Sequence, residues 1–229
     1  MAIHVFGDSH AHYLFSRVPD VTVHWLGPWT MHRVARDGPA FTQDGSADDT
    51  AIFVFGEIDV RCHLVPQAGK ARRSIEDVAT DLGHRFIAAL KTRRLAAQKF
   101  VVLGVVPPLT PLRPNPEIPC RGSDDERIAA RKSLNAALES AARDNGIEFI
   151  AVPPLYETSR GLMKRHLSDG HAHIAMDCAG PLVRHVSSQL GVPLTFVERK
   201  PLPKLMRQAG RRAASILMLR LPMWNLGKA

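Results

Sequence analysis

The sequence predicts an α/β protein built on a central parallel sheet of about five strands, and two observations carry that prediction. Short apolar, β-branched runs alternate with stretches of helical periodicity, as they do in βαβ units. Three of these runs, all within the first 60 residues, end at a glycine, which predicts three similar turns at one edge of the sheet. The predicted strands are residues 2–6, 21–25, 51–55, 101–106 and 147–152.

Helices are predicted between the strands from the spacing of apolar residues and from capping signals. Ser123 and Glu126 form a capping-box pattern, and Ser74 with Asp77 is a second cap pair. The predicted helices cover residues 10–16, 74–98, 123–145 and 182–190. Two loops, rich in turn-forming residues or in proline, are predicted at residues 37–49 and 107–119.

The charge of the chain is unevenly distributed. Residues 199–229 hold eight basic and no acidic residues, so the formal charge of +8 lies in this tail and residues 1–198 are neutral overall. We therefore expect one folded domain over residues 1–198, for which no nucleic-acid partner is expected, followed by a basic tail. The tail has the spacing of an amphipathic helix, which predicts contact with an anionic membrane surface, with the domain or with a second subunit.

No secretory signal pattern precedes the first strand, and no apolar run reaches the ~18 residues of a membrane span. We expect a cytoplasmic protein, peripheral at the inner membrane surface if the tail binds there.

Cys62, Cys120 and Cys178 are too few and too far apart for a disulfide framework or a zinc site, so we interpret them as reduced.

The first strand leads into a serine with an unusual position. Gly7 permits a sharp turn, and Asp8, Ser9 and His10 then open a helix. A hydroxyl between the carboxyl end of a strand and the start of a helix lies where ligands gather in open α/β sheets. Ser9 is therefore a candidate nucleophile, and its N–H a candidate oxyanion donor. The alternative is an ordinary helix cap formed by Asp8 or Ser9.

A second group of polar residues lies between the last strand and the last helix. A nucleophilic serine needs a base, and the base needs a carboxylate that holds its tautomer. Asp169 supplies the carboxylate, and His173 or His171 supplies the base. The remaining histidines lack the spacing of metal ligands on a helix, so no metal site is expected.

Several motifs together resemble the SGNH or GDSL-type hydrolase superfamily, in its GDSH-containing subgroup. They are GDSH at 7–10, the turn at Gly27, GEIDVR at 56–61, the helix with Asn135 and DGHAH at 169–173. The resemblance covers roughly residues 1–192. It implies a three-layer α/β/α flavodoxin-like sandwich and a carboxylic ester hydrolase with a Ser-His-Asp triad, and no metal or organic cofactor.

On this resemblance Ser9 is the nucleophile, Asp169 the acid and His173 the base, with His171 as the alternative base. The oxyanion would be held by the N–H groups of Ser9, Gly27 and Gly56.

The sequence departs from the family pattern at three positions. His10 replaces the usual leucine, and Ile58 replaces an asparagine that would donate to the oxyanion. Losing one such donor costs on the order of 2.7–4 kcal/mol of barrier, unless another donor such as Arg61 replaces it. The acid and base are normally three residues apart, whereas His173 is four residues after Asp169, which predicts a one-residue bulge in the loop.

Five charged or polar residues near these motifs are candidates for the substrate pocket: Asp8, His10, Glu57, Asp59 and Arg61. The last three are equally compatible with an ion-pair group at the strand end.

Trp25 and Trp29 flank the turn at Gly27, where they either pack or form a platform for a sugar ring.

The sequence thus predicts a serine esterase that hydrolyses an acyl or acetyl ester, with carbohydrate esters as the first substrate class to expect. Two alternatives remain. One is a catalytically weak or inactive protein that keeps this fold to bind a glycan or a partner. The other is an acyltransferase, in which an acceptor hydroxyl replaces water.

Overall fold

The computed structural model describes residues 1–38, 46, 48–92, 99–110, 116 and 119–198. Its centre is a five-stranded, all-parallel sheet in the order β2-β1-β3-β4-β5. The strands are β1 (Ile3–Gly7), β2 (Thr22–Trp25), β3 (Thr50–Val54), β4 (Lys99–Leu103) and β5 (Glu148–Ile150). The fold class predicted from the sequence is therefore confirmed.

Within the described residues six α-helices accompany the sheet: α1 (Ser9–Phe15), α2 (Met31–Asp37), α3 (Leu64–Ala71), α4 (Ile75–Thr92), α5 (Asp124–Asp144) and α6 (Gly180–Leu190). A π-helical turn, Asp59–His63, runs into α3. Single 3₁₀ turns occur at Pro154–Tyr156, Arg165–Leu167 and Met176–Cys178.

Successive strand residues point to opposite faces of the sheet, and the buried core is divided accordingly. One cluster joins Phe6 and Phe53 to apolar residues of α2, α3, α4 and α5. The other joins Val5 and Ile52 to apolar residues of α1 and α6. Helices thus cover both faces of the sheet, which gives the three-layer α/β/α arrangement.

The register of the parallel strands places the turns that follow β1, β2 and β3 at the same level along the edge of the sheet. Gly7 pairs with Trp25 of β2 and with Val54 of β3. Two residues beyond each of these positions stand Ser9, Gly27 and Gly56. Gly27 and Gly56 have φ angles of 73° and 105°, a region that only glycine occupies without strain. The sequence pattern of a strand followed by a glycine turn therefore marks one common edge.

Local capping signals located the long helices correctly. Ser123 and Glu126 form a complete capping box at the start of α5, and Ser74 accepts the N–H of Asp77 at the start of α4. The helix predicted over residues 74–98 is observed over Ile75–Thr92, and residues 93–98 of that prediction lie outside the described part of the chain.

Two helical segments were not predicted from the sequence. The N-cap of α2 is Thr30, but the carboxylate of Asp59 also accepts the N–H groups of Met31 and His32, at 2.7 and 3.2 Å. The second segment is the π-helical turn that contains Asp59 and continues into α3. The start of α2 is therefore fixed in part by a residue distant in sequence, a signal that the local pattern does not contain.

Residues 39–45 and most of residues 111–118 belong to the predicted loops and lie outside the described part of the chain. The basic tail at 199–229 lies outside it as well, so the boundary at residue 198 and the partners of the tail stay predictions. Among the described helices, none is both long and apolar enough to cross a membrane.

Replacing Gly7 by alanine is expected to lower the free energy of unfolding by about 1–3 kcal/mol. The added Cβ would lie 2.2 Å from the carbonyl oxygen of Val54 and 2.9 Å from Cβ of Ala11, so β1 and β3 would have to move apart. Urea denaturation measures the change. Gly69→Ala in α3 is the control: no atom lies within 4 Å of its Cβ position, and it is expected to stabilise by about 0.5–1 kcal/mol. A Gly7→Ala protein as stable as wild type would contradict this close packing.

Candidate active site

Ser9 lies at the first position of α1, directly after the turn that ends β1. Asp8 is the N-cap of this helix, and its carboxylate accepts the N–H of His10 at 2.7 Å. The capping role predicted for Asp8 or Ser9 is therefore filled by Asp8. The hydroxyl of Ser9 has another partner: Oγ lies 2.8 Å from Nε2 of His173.

His173 connects this hydroxyl to a carboxylate. Its Nδ1 lies 2.7 Å from Oδ2 of Asp169, in an ion-pair geometry. Because a carboxylate only accepts, the proton of the neutral imidazole belongs on Nδ1, and the lone pair of Nε2 faces the hydroxyl of Ser9. The three side chains thus form a continuous hydrogen-bond relay from Ser9 to Asp169, which is the geometry that activates a serine.

The four-residue interval between Asp169 and His173 closes into a tight turn. Oδ1 of Asp169 accepts the N–H groups of His171, Ala172 and His173 at 2.8, 3.1 and 3.1 Å. The N–H of Asp169 in turn donates to the carbonyl of His173, and Gly170 adopts a φ of 88°. The turn therefore accommodates the one residue by which this interval exceeds the family's three-residue spacing. The ring of His171 is exposed, whereas His173 bonds Ser9.

The protonation states of Asp169 and His173 follow from the groups that surround them. Burial alone would raise the pKa of Asp169, but the hydrogen bond and charge of His173 and the backbone N–H groups outweigh it and lower that pKa to about 2. Burial and the nearby His10 lower the pKa of His173, against the opposing effect of Asp169. The resting pair is thus a carboxylate and a neutral imidazole, the forms that a general base requires.

The substrate-pocket candidates are all buried, none being more than 7% exposed, and the structure gives each a protein partner. Arg61 Nε pairs with Glu57 Oε1 at 2.7 Å, so two of the three predicted members of an ion-pair group do pair. Asp59 is not part of that pair; it accepts backbone N–H groups of α2. Burial raises the pKa of Asp59 to about 7, although those hydrogen bonds oppose the shift. Contact of these five residues with a substrate stays a prediction.

The oxyanion donors predicted beside Ser9 differ in their surroundings. The space around the Cα of Gly27 is open, with no atom within 4 Å of its Cβ position. A Cβ at Gly56 would instead meet Val105 and Met31, so that side of Gly56 faces the core. Ile58 is half-buried and has no side-chain donor.

Two side chains that are able to donate hydrogen bonds, those of Arg61 and Asn135, do not take the place of the missing asparagine, because each has another partner. The guanidinium of Arg61 is paired with Glu57. The amide of Asn135 bonds the backbone N–H and carbonyl of Val105, at 2.8 and 3.3 Å. The asparagine of α5 therefore fixes the segment after β4.

The two tryptophans near Gly27 occupy different environments. Trp29 packs against the core, and the guanidinium of Arg33 lies 4.2 Å from the centre of its ring. Trp25 is 63% exposed at the end of β2. Packing therefore accounts for Trp29, and only Trp25 has the exposure that a sugar platform needs.

Tyr13 is a site residue that sequence reasoning missed. Its ring stacks on that of His173, with centroids 3.9 Å apart and an interplanar angle of 13°. The only signal in the sequence is its position on α1, one helical turn after Ser9 and His10.

Among the described residues, no group of three or more histidine, cysteine or acidic side chains is arranged to hold a metal ion.

No protein-family model matches the chain, and no curated protein matches it either. Solved structures do match over most of its length. A catalytic mutant of an acetylxylan esterase from Geobacillus stearothermophilus is 12% identical, with a TM-score of 0.56 over 87% of this chain and 97% of that one. A GDSL-like lipase from Bacteroides thetaiotaomicron is 16% identical, with a TM-score of 0.53 over 83% and 86%.

A carbohydrate acetylesterase from Sinorhizobium meliloti is 14% identical, with a TM-score of 0.51 over 83% of this chain and 98% of that one. At such identities the likeness establishes the fold. The α/β arrangement described above is thus one that esterases and lipases share.

Asp169→Asn is expected to lower the free energy of unfolding at pH 7 by about 2 kcal/mol, because it removes a charged acceptor from His173 and from the turn. The pKa of Asp169 is depressed in the folded state, to about 2. Its contribution is therefore complete above the unfolded pKa near 4 and is lost as the pH falls through 2.

Urea denaturation at pH 7 and pH 3 measures the effect, and the difference from wild type is expected to be about half as large at pH 3. Asp177→Asn is the matched control, because Asp177 pairs with Arg17 while 54% exposed, and such pairs contribute less than about 1 kcal/mol. An Asp169→Asn effect that is equal at both pH values would contradict the depressed pKa.

Proposed function

We propose that this chain is a serine esterase of the SGNH or GDSL type that hydrolyses an acyl or acetyl ester. The observation that carries the proposal is the relay from the Ser9 hydroxyl through His173 to Asp169, with distances of 2.8 and 2.7 Å. The two ends of this relay are 160 residues apart in sequence: Ser9 is the first residue of α1, and Asp169 lies in the loop between β5 and α6. A cap or a packing contact would not require the base to be neutral, oriented and backed by a carboxylate.

In the proposed reaction Ser9 Oγ attacks the ester carbonyl while its proton passes to Nε2 of His173. Asp169 stabilises the imidazolium that forms. The tetrahedral intermediate collapses when His173 returns the proton to the departing alcohol, which leaves the acyl group on Ser9. Water then repeats the sequence: His173 takes its proton, the new intermediate releases the acid, and Ser9 regains its hydrogen.

The oxyanion of both intermediates would be held by backbone N–H groups. The N–H of Ser9 is at the start of α1, where backbone donors lack a partner within the helix. Gly27 and Gly56 follow the two strands that pair with β1, at the same level as Ser9. With Ile58 in place of an asparagine, we expect a smaller contribution from side-chain donors than in relatives that have one.

The substrate class we propose is an acetylated or otherwise acylated carbohydrate. Two of the similar structures are an acetylxylan esterase and a carbohydrate acetylesterase, which supports this choice. The exposed ring of Trp25 ends the strand that leads to Gly27, and an exposed indole is a surface on which a sugar ring can stack.

Ser9→Ala is expected to reduce kcat/KM for p-nitrophenyl acetate at least about a thousandfold, because the nucleophile is lost while the fold is kept. His173→Ala is expected to do the same, because Ser9 then lacks its base. Steady-state hydrolysis followed at 405 nm measures both. His171→Ala is the matched control, since its ring is exposed and the hydroxyl of Ser9 bonds His173; its rate is expected to stay within about threefold of wild type.

A wild-type protein that is folded but hydrolyses neither this ester nor acetylated xylan would contradict the proposal. The same holds if Ser9→Ala retains the wild-type rate.

A further inference from the structure

His173 is enclosed between two side chains of the helix that also carries Ser9. Tyr13 stacks on its ring at 3.9 Å, and the ring of His10 lies 4.5 Å from it, tilted by 43°. His10 and Tyr13 are three residues apart on α1 and so share one side of the helix. One short helix therefore provides the serine and two of the side chains that contact the histidine.

Both nitrogens of the His10 ring face acceptors. Nδ1 lies 3.0 Å from Oδ1 of Asp8, and Nε2 lies 3.2 Å from the carbonyl oxygen of Ala172. A neutral imidazole has one N–H and could satisfy only one of them, whereas an imidazolium donates to both. His10 is only 3% exposed, so water does not offer a substitute donor. The hydrogen-bond geometry thus assigns a positive charge to this ring.

The electrostatic surroundings agree with that assignment. Burial would lower the pKa of His10, but the carboxylate of Asp8, with a smaller effect from Glu57, outweighs burial and raises it to about 9. A cation is therefore held beside His173 throughout the neutral range.

The charged and titratable groups that face His173 are His10 and Tyr13 from α1, Asp169 from its own turn and Glu57 from the segment after β3. Asp169 and Glu57 favour the protonated form of His173, and His10 opposes it. His10 is the cation among these four groups, and each of its two ring nitrogens lies within hydrogen-bond distance of an acceptor.

We propose that His10 is a positioning residue whose imidazolium, anchored between Asp8 and the carbonyl of Ala172, holds the base His173 in its neutral form. A like charge within 4–6 Å disfavours the protonated form of a titratable group. His173 is therefore ready to accept the proton of Ser9 at a lower pH than its carboxylate partner alone would allow. The inference rests on the proposed function for its catalytic meaning, but the contact itself can be measured without a substrate.

The test is a direct titration of His173 by NMR of its ring carbons and nitrogens, in wild type and in His10→Leu and His10→Gln. Both variants remove the charge, and glutamine can still donate to one of the two acceptors. In both we expect the pKa of His173 to rise by about one unit. The acidic limb of the pH profile for kcat/KM on p-nitrophenyl acetate is expected to move to higher pH by the same amount.

His12→Leu is the matched control, because His12 lies on the same helix and is exposed, and it should leave the titration of His173 unchanged. Urea denaturation of each variant establishes that it is folded; if His10→Leu is not, His10→Gln carries the test.

The outcomes separate this inference from the proposed function. Ester hydrolysis with no change in the His173 titration in either His10 variant would overturn the inference and leave the esterase proposal standing. A raised pKa of His173 in a protein that hydrolyses no ester would support the contact and overturn the esterase proposal. A shift of equal size in His12→Leu would overturn the assignment to His10.

Discussion

The parallel pairing of β1 with both β2 and β3 is the constraint on which the rest of the site depends. Gly7 pairs with Trp25 of β2 on one side and with Val54 of β3 on the other. The three strands therefore end at the same edge of the sheet and at the same level. Ser9 emerges from the middle strand of these three, with Gly27 and Gly56 on either side. Gly7 itself lies so close to the backbone of β3 that it leaves no room for a side chain.

The opposite half of the site is organised by one carboxylate. Asp169 binds the ring of His173 with one oxygen and three backbone N–H groups with the other. The orientation of the base and the shape of the turn that carries it are therefore set together. Hydrogen bonds to a charged acceptor are worth about 1.5–3 kcal/mol each, which is enough to hold a loop in a single conformation.

The elements predicted from the sequence are those with local signals, whereas α2, which was not predicted, depends in part on contacts between distant residues. The strands and the helices with local caps, such as Ser123 with Glu126, were predicted because the signal lies within a few residues. The α2 helix was missed because part of its cap is Asp59, 28 residues away from Met31. For the same reason Asp59 was grouped with Glu57 and Arg61, although only the latter two pair.

The candidate site shows the same division. Ser9, Asp169 and His173 were predicted as nucleophile, acid and base from their residue types and from the family resemblance, although the last two are one residue further apart than in the family pattern. The three backbone N–H groups bound by Asp169 close the turn, so that a four-residue interval still brings the carboxylate into contact with the ring of His173. The bond from His10 to the carbonyl of Ala172 spans 162 residues and could not be read from the sequence. It brings together two of the departures from the family pattern, the histidine after the nucleophile and the longer interval before the base.

The central claim is that Ser9 is an activated nucleophile. The measurement that tests it most directly is peptide mass spectrometry of the folded protein after reaction with a fluorophosphonate, with Ser16 of the neighbouring segment as an internal comparison. We expect one adduct, on Ser9, that is absent when His173 is replaced by alanine. A folded protein that forms no adduct, or one that is modified elsewhere while Ser9 stays free, would contradict it.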